Sequence, residues 1–219
     1  MAKPEFYVSA DMEADGPIPG PFSMSSFGLA VAGMHDGIAF KAFDPAERTF
    51  YAELKPISDA YDPEALAVSG LDRDHLAREG QEPSQAMDAA AAWLADVSDE
   101  LRATPVFVAY PLSYDWMWMY WYFMRFASNG SPFGHSRCLD IKTLYATKSD
   151  SPITGSTKRS MPQQLLPTRP HTHNALDDAI EQAELFQNLM QWKRSEADLR
   201  ARAGELPSAR LDGRNTRGG

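Results

Sequence analysis

The sequence has almost no cysteine, since Cys138 is the single one among 219 residues. This excludes a disulfide framework and any metal site built from several cysteines. Long apolar runs are also lacking, because the longest, residues 116–124, is about half of what a membrane-spanning helix needs. The N-terminus reaches Asp11 before an apolar segment of signal-peptide length can form. We therefore expect a soluble, cytoplasmic protein.

Positive charge is in short supply as well. The chain has 21 Lys and Arg residues against 30 Asp and Glu residues, which gives a net charge of −9. A protein that coats nucleic acid is usually basic, so this balance argues against that class. It leaves open an enzyme that contacts only the end of a strand, where bound divalent cations supply the positive field that a phosphate meets.

The hydrophobic pattern predicts a mixed α/β domain over residues 1–203, followed by a disordered tail over residues 204–219. The ranges that read as strands are residues 5–10, 23–32, 37–43, 48–54, 105–110 and 137–141. The ranges that read as helices are residues 63–68, 71–78, 84–102, 113–126, 142–146 and 173 to about 203. A long loop over residues 147–170, with one short turn, separates the last two helices.

Acidic residues stand at the expected strand ends, where ligands bind in α/β sheets. Asp11 and Glu13 follow the first strand, and a spacing of two places both side chains on the same face of an extended chain. Two acids on one face repel each other unless a cation lies between them, and oxygen ligands of this type suit Mg²⁺ or Mn²⁺. Exposed strand ends often carry acids without a metal, so this motif alone leaves both readings open.

Asp115 follows the buried strand of residues 105–110 and lies in an otherwise largely apolar stretch. A buried lone carboxylate is costly unless it is paired or bound to a metal. Asp is also a preferred N-cap residue, so the pattern leaves open a helix cap or a metal ligand.

The start of the predicted last helix carries His173 and Asp178, five residues apart. Histidine is the usual general base near neutral pH. A histidine at this place is often a cap or a surface residue, and Asp177 is an alternative ligand to Asp178. His171 is a second candidate for the base.

The order of these residues resembles the DEDDh exonucleases of the ribonuclease H-like fold. It consists of D-x-E, an Asp after a buried strand, and H-x4-D at the last helix. The resemblance covers roughly residues 5–190 and includes the segments ALAVSGL (65–71), LDIKTLY (139–145) and HNALDDA (173–179). It implies an α/β fold whose mixed sheet combines an antiparallel meander with parallel strands and is flanked by helices.

The resemblance also implies site roles and an activity. Asp11, Glu13, Asp115 and Asp178 would hold two divalent ions, Mg²⁺ or Mn²⁺, and His173 would take a proton from the attacking water. His171 is disfavoured as the base because its spacing of seven to Asp178 does not match the motif. The implied reaction releases nucleoside monophosphates from the 3′ end of single-stranded DNA or RNA.

Residues that could contact the substrate come from two loops. The loop at residues 14–22 would wall the terminal base, with Met12 and Phe22 as candidate contacts. The stretch of residues 141–172 is basic, and we expect Lys158 and Arg159 to contact the nucleic-acid backbone. The aromatic run of residues 116–126 is expected to pack in the core, although base stacking and a homodimer interface are alternatives.

Two departures from the family pattern bear on substrate preference rather than on chemistry. Ala14 and Asp15 stand where hydroxyl residues are common, and Tyr110, Pro111 and Ser113 precede Asp115 where the family often has an Asn. Two other functions stay open: a phosphodiesterase that acts on small nucleotides or short oligonucleotides, and a non-catalytic nucleic-acid-binding module of the same fold.

Overall fold

The first strand lies at the centre of a mixed sheet. The structure, a computed structural model, describes residues 3–193. Its strands are β1 (Glu5–Ala14), β2 (Met24–His35), β3 (Phe40–Ala42), β4 (Thr49–Glu53), β5 (Thr104–Ala109) and β6 (Cys138–Asp140). β1 pairs antiparallel with β2 and parallel with β5, β6 pairs parallel with β5, and β3 and β4 both pair antiparallel with β2. This confirms the fold class that the sequence predicts.

Helices cover both faces of the sheet. They are α1 (Pro63–Ser69), α2 (Arg73–Glu79), α3 (Pro83–Leu101), α4 (Leu112–Phe126), α5 (Ile141–Ser149) and α6 (Ala175–Gln191). Side chains of a strand alternate between faces, so Phe6 and Val8 of β1 join the apolar cluster under α3 and α4. Tyr7 joins a second cluster, which is formed with α5 and α6. Among the described residues, no helix is long and apolar enough to cross a membrane.

The aromatic helix α4 packs mainly in the core, as the sequence predicts. Trp118, Met119, Tyr122 and Phe123 are fully buried against the sheet and α3. Met124 is 55% exposed on the opposite side. A homodimer interface at α4 stays a prediction.

Several predicted boundaries differ from the structure. β1 continues to Ala14, so Asp11 and Glu13 lie within the strand rather than after it. The loop after α5 contains three short 3-10 turns instead of one. The last helix begins at Ala175 rather than His173, because the Asn174 side chain accepts the N–H groups of the next turn. It ends at Gln191, while the predicted tail over residues 204–219 lies outside the described residues.

The start of α6 lies directly on β2 at Gly28. Gly28 pairs with Asp11 in the β1–β2 ladder. A Cβ at Gly28 would come within 2.4 Å of the Ala175 carbonyl oxygen and of the Leu176 Cα. These contacts are too close, and the backbone of α6 would have to move to avoid the clash. The absence of a side chain at Gly28 therefore brings the first turn of α6 onto the sheet beside Asp11.

We expect Gly28→Ala to destabilise the protein by about 1–3 kcal/mol, because the added methyl group pushes α6 off the sheet. Denaturant unfolding measures this change. Gly155→Ala is the matched control, since nothing lies within 4 Å of a Cβ at Gly155. Equal stability of the two variants would contradict this account of the packing.

Candidate active site

Carboxylates from three elements converge at one end of the sheet. Asp11 and Glu13 lie on β1, Asp115 in the first turn of α4, and Asp178 in the first turn of α6. Oxygen atoms of Asp11, Glu13 and Asp178 all lie within 4.8 Å of one another. Asp115 is close enough for its charge to raise the pKa of Asp11. The fold therefore brings together all four acids that the sequence singles out.

Asp115 is not a helix cap. The N-cap of α4 is Pro111, and Asp115 lies four residues further on, with 6% of its surface exposed. The backbone N–H groups of Met12 and of Asp115 itself lower the pKa of its carboxyl group and so oppose the larger effect of burial. Asp115 is thus a buried carboxylate held against β1, and the cap interpretation is wrong.

Asp178 is the acid that α6 directs into the cluster. It is fully buried, whereas its neighbour Asp177 is exposed. Its two oxygen atoms accept the backbone N–H of Thr172 at 2.8 Å and that of His173 at 2.9 Å. Asp178 therefore fixes the backbone of the preceding segment, and of the two neighbouring acids it is the one positioned as a ligand.

Nearby positive groups only partly compensate the negative charge of the cluster. Burial, followed by repulsion from its neighbours, raises the pKa of Asp11 well above its usual value. Burial raises the pKa of Glu13 to about 7 and that of Asp115 to about 8, in both cases with a further contribution from a nearby acid. The positive charge of Lys158 opposes this effect at Asp11. Such a cluster of oxygen donors fits divalent cations, which would offset the repulsion.

Gln182 organises the cluster, and the sequence analysis missed it. Its Nε2 donates to Asp11 Oδ1 at 2.8 Å, and its Oε1 accepts the Tyr110 N–H at 2.6 Å. The residue lies one helical turn after Asp178, so the spacing of four on one helix face was the available signal. Gln182 thereby joins α6, β1 and the end of β5.

Two histidines lie beside Asp178. His171 Nδ1 is 3.1 Å from Asp178 Oδ1, and the rings of His171 and His173 are 4.7 Å apart. His173 is exposed, and its backbone adopts a left-handed conformation with φ 59°. This conformation is uncommon outside glycine, and here it accompanies the hydrogen bond from the His173 N–H to Asp178. The structure thus places both candidate bases at the edge of the cluster.

Comparison with known proteins identifies the family. The chain is 36% identical over 182 residues to the 3′–5′ DNA exonuclease Cap18 of Escherichia coli, which covers 83% of this chain and 90% of Cap18. The nuclease domain of 3′hExo, a DEDDh family member bound to rAMP, superposes with a TM-score of 0.62 at 15% identity. That match covers 86% of this chain and 92% of the other. The chain belongs to the DEDDh 3′–5′ exonucleases.

A second solved structure supports the same fold. Cell-death related nuclease 4 matches with a TM-score of 0.57 and 14% identity, over 85% of this exonuclease and 63% of the nuclease. No protein-family model matches the chain. The family implies dependence on a divalent metal, and the acidic cluster supplies suitable ligands.

The predicted substrate contacts of this exonuclease differ in how much they are exposed to solvent. The Met12 side chain is buried in the core, because alternation along β1 turns it to the face opposite Asp11 and Glu13, so it does not line the acidic cluster. Phe22 is partly buried against the same core. The three remaining features of the prediction, Lys158, Arg159 and the loop at residues 14–22, stay partly accessible.

Much of the basic stretch before His173 is used within the exonuclease itself. Lys158 Nζ lies 2.6 Å from the buried carboxylate of Glu181, and Arg169 pairs with Glu184 at 2.8 Å. Lys148 donates to the Leu189 carbonyl at the end of α6. These contacts show that part of the positive charge holds the loop against α6.

The departure at Asp15 has a structural reason. Its side chain is 1% exposed, accepts the Ser23 N–H at 2.5 Å and pairs with Arg73 Nε at 3.0 Å. Arg73 also donates to the Ser58 carbonyl. Asp15 therefore ties the turn after β1 to the start of α2, and a residue that the sequence marks only as unusual is a buried ion-pair partner.

The metal-free exonuclease should become less stable as the pH rises. Glu13 and Asp115 have higher pKa values when folded than when unfolded, so the folded state binds more protons between about pH 4 and about pH 8. Their favourable contribution is complete below the unfolded pKa values and is lost as the pH passes through the folded ones. We expect the Tm in EDTA to fall from pH 5 to pH 8.5, and Mg²⁺ to restore most of the loss at pH 8.5.

Asp11→Asn is the control for this effect, because it removes one of the repelling charges. Its Oδ1 can still accept from Gln182, and we expect a shallower dependence of Tm on pH. A Tm that is constant or rises over this interval in the metal-free protein would contradict the raised pKa values of the buried carboxylates.

Proposed function

We propose that this DEDDh exonuclease hydrolyses the terminal phosphodiester bond at the 3′ end of single-stranded DNA and releases nucleoside monophosphates. The observation that carries the proposal is the convergence of Asp11, Glu13, Asp115 and Asp178 beside His173. The name of Cap18, the DNA exonuclease at 36% identity, favours DNA over RNA. The same site would also act on short oligonucleotides. For the location of the protein in the cell, we propose the cytoplasm.

The four carboxylates would hold two divalent cations, Mg²⁺ or Mn²⁺. The raised pKa values of Glu13 and Asp115 support this assignment, since they mark charges that lack sufficient protein partners. When bound, the ions would lower the negative charge around the scissile phosphate and stabilise the leaving 3′ oxygen. Asp11, which lies on the central strand, is our choice for the ligand shared by both ions.

His173 would act as the general base that takes the proton of the attacking water. Its side chain is exposed at the edge of the cluster, where water can reach a ring nitrogen. Its backbone is fixed by the N–H bond to Asp178 Oδ2 at 2.9 Å, so the base and one proposed ligand share a single turn. This arrangement aligns the base relative to the acidic cluster before substrate binds.

Other side chains would position the reacting groups. Gln182 holds Asp11 in place through a hydrogen bond. Lys158, which pairs with Glu181 and acts electrostatically on Asp11, would contact the phosphate nearest the cluster. Arg159 follows it on an exposed turn and would contact the strand further from the 3′ end, while Phe22 would contribute to the wall for the terminal base.

Asp11→Asn is the most direct test, because it removes charge while retaining the shape of the side chain and its bond with Gln182. With 5′-labelled single-stranded DNA and Mg²⁺ or Mn²⁺, the wild-type protein should give a ladder that shortens from the 3′ end. Asp11→Asn should give no ladder within the assay time, although the variant folds. RNA and dinucleotide substrates in parallel measure the preference for sugar and length.

Asp177→Asn is the matched control, since Asp177 is exposed and its carboxylate accepts from Thr172 Oγ1 at 3.4 Å instead of belonging to the acidic cluster. This variant should retain the ladder. Full activity of Asp11→Asn, or equal loss in both variants, would contradict the assignment of the acidic cluster.

His173→Asn should lower kcat by about 10²–10⁴-fold, the usual contribution of a general base. Binding of Mn²⁺, measured by calorimetry, should remain within about threefold of wild type because no carboxylate changes. A loss of Mn²⁺ binding that parallels the loss of activity would show that His173 is a ligand or a structural residue instead.

A further inference from the structure

His171, His173 and Asp178 form a second group of metal-binding side chains, which overlaps the carboxylate cluster at Asp178. Each offers one ligand atom, and these three atoms lie within 4.8 Å of one another. The shortest separation is 3.1 Å, between His171 Nδ1 and Asp178 Oδ1. His171 has no role in the proposed reaction, so its place beside Asp178 requires another explanation.

We propose that these three residues form an inhibitory site for Zn²⁺ or a similar transition-metal ion. Two imidazoles and one carboxylate differ in chemistry from the all-oxygen cluster, because imidazole nitrogen suits Zn²⁺ whereas carboxylates suit Mg²⁺ and Mn²⁺. Zinc takes nitrogen and oxygen ligands at about 2.0–2.2 Å in tetrahedral geometry, which places neighbouring donors roughly 3.3 Å apart. His171 Nδ1 and Asp178 Oδ1 are in direct contact at 3.1 Å, so an ion between them would need to separate the two atoms only slightly.

The surroundings of the three side chains would allow the two histidine rings to rotate and bind an ion together with Asp178. Asp178 is held by the backbone N–H groups of Thr172 and His173, the type of support that orients metal ligands. The His171 side chain is 50% exposed and His173 is exposed, so both rings can rotate without disturbing the core. Solvent can supply the fourth ligand of a tetrahedral site.

Inhibition follows from the identity of the ligands and rests on the proposed function. An ion bound at His173 occupies the ring nitrogen that would take the proton of water. The same ion engages Asp178, which would otherwise serve the catalytic cations. Zinc would therefore compete with both the base and the metal binding that hydrolysis requires.

The binding test uses Zn²⁺ alone, with Asp11→Asn as the background so that the carboxylate cluster is weakened. Titration should show one site in Asp11→Asn that is at least tenfold weaker in Asp11→Asn/His171→Asn. Asp11→Asn/His135→Asn is the control, because His135 is an exposed histidine outside this group. Visible absorption of Co²⁺ in the same proteins reports nitrogen ligation independently of activity. Equal Zn²⁺ affinity with and without His171 would overturn the proposed site.

The activity test adds Zn²⁺ to the Mg²⁺-supported reaction of wild type and of His171→Asn, each compared with its own rate without Zn²⁺. We expect wild type to be inhibited at Zn²⁺ concentrations at least tenfold lower than those that inhibit the variant. The same inhibition curve for both would overturn the inhibitory role. If wild type shows no exonuclease activity, the proposed function fails, while the binding test still decides whether the zinc site exists.

Discussion

The burial of four neighbouring carboxylates in one cluster is the constraint on which the rest of the structure depends. Asp11 and Glu13 extend from the central strand toward Asp178, and the buried Asp115 lies close behind. Burial, with a smaller contribution from neighbouring acids, raises the pKa values of Asp11, Glu13 and Asp115, so part of the cluster is protonated near neutral pH. Divalent cations would offset the unfavourable energy of holding these ionised carboxylates together. The folded chain therefore has its metal ligands in place before substrate binds.

The elements around the cluster hold the acids together against this repulsion. Gly28 lets α6 begin directly on the sheet, and Gln182 connects α6 to Asp11 and to the end of β5. Asp178 then binds the backbone of the segment that carries His173. Asp15 and Arg73 fix the turn on the other side of β1. Rigid packing and polar contacts thus supply the positioning that a two-metal reaction requires.

The hydrophobic pattern predicts a mixed α/β domain and strand ends that carry acids, and the resemblance to the DEDDh exonucleases adds the mixed sheet and the roles of the four acids. Alternation in β1 places Asp11 and Glu13 on one face, and an Asp inside an apolar helix such as Asp115 signals a special environment. Contacts between distant segments leave no such signal. The pairing of Asp15 with Arg73 joins residues 58 positions apart, and the hydrogen bond of Gln182 to Asp11 spans 171. The burial of Met12 follows from the same alternation once β1 is known to continue to Ala14, since Met12 then lies on the face opposite Asp11 and Glu13.

The most direct measurement is calorimetric titration of Mn²⁺ into the protein without substrate, repeated in buffers of different ionisation enthalpy. Because Glu13 and Asp115 are partly protonated near pH 7, metal binding must displace protons from them. The account predicts two Mn²⁺ ions per chain, with proton release at pH 6.5 that declines toward pH 9. Binding without proton release at any pH, or no binding at all, would contradict the claim that repelling carboxylates form the metal site.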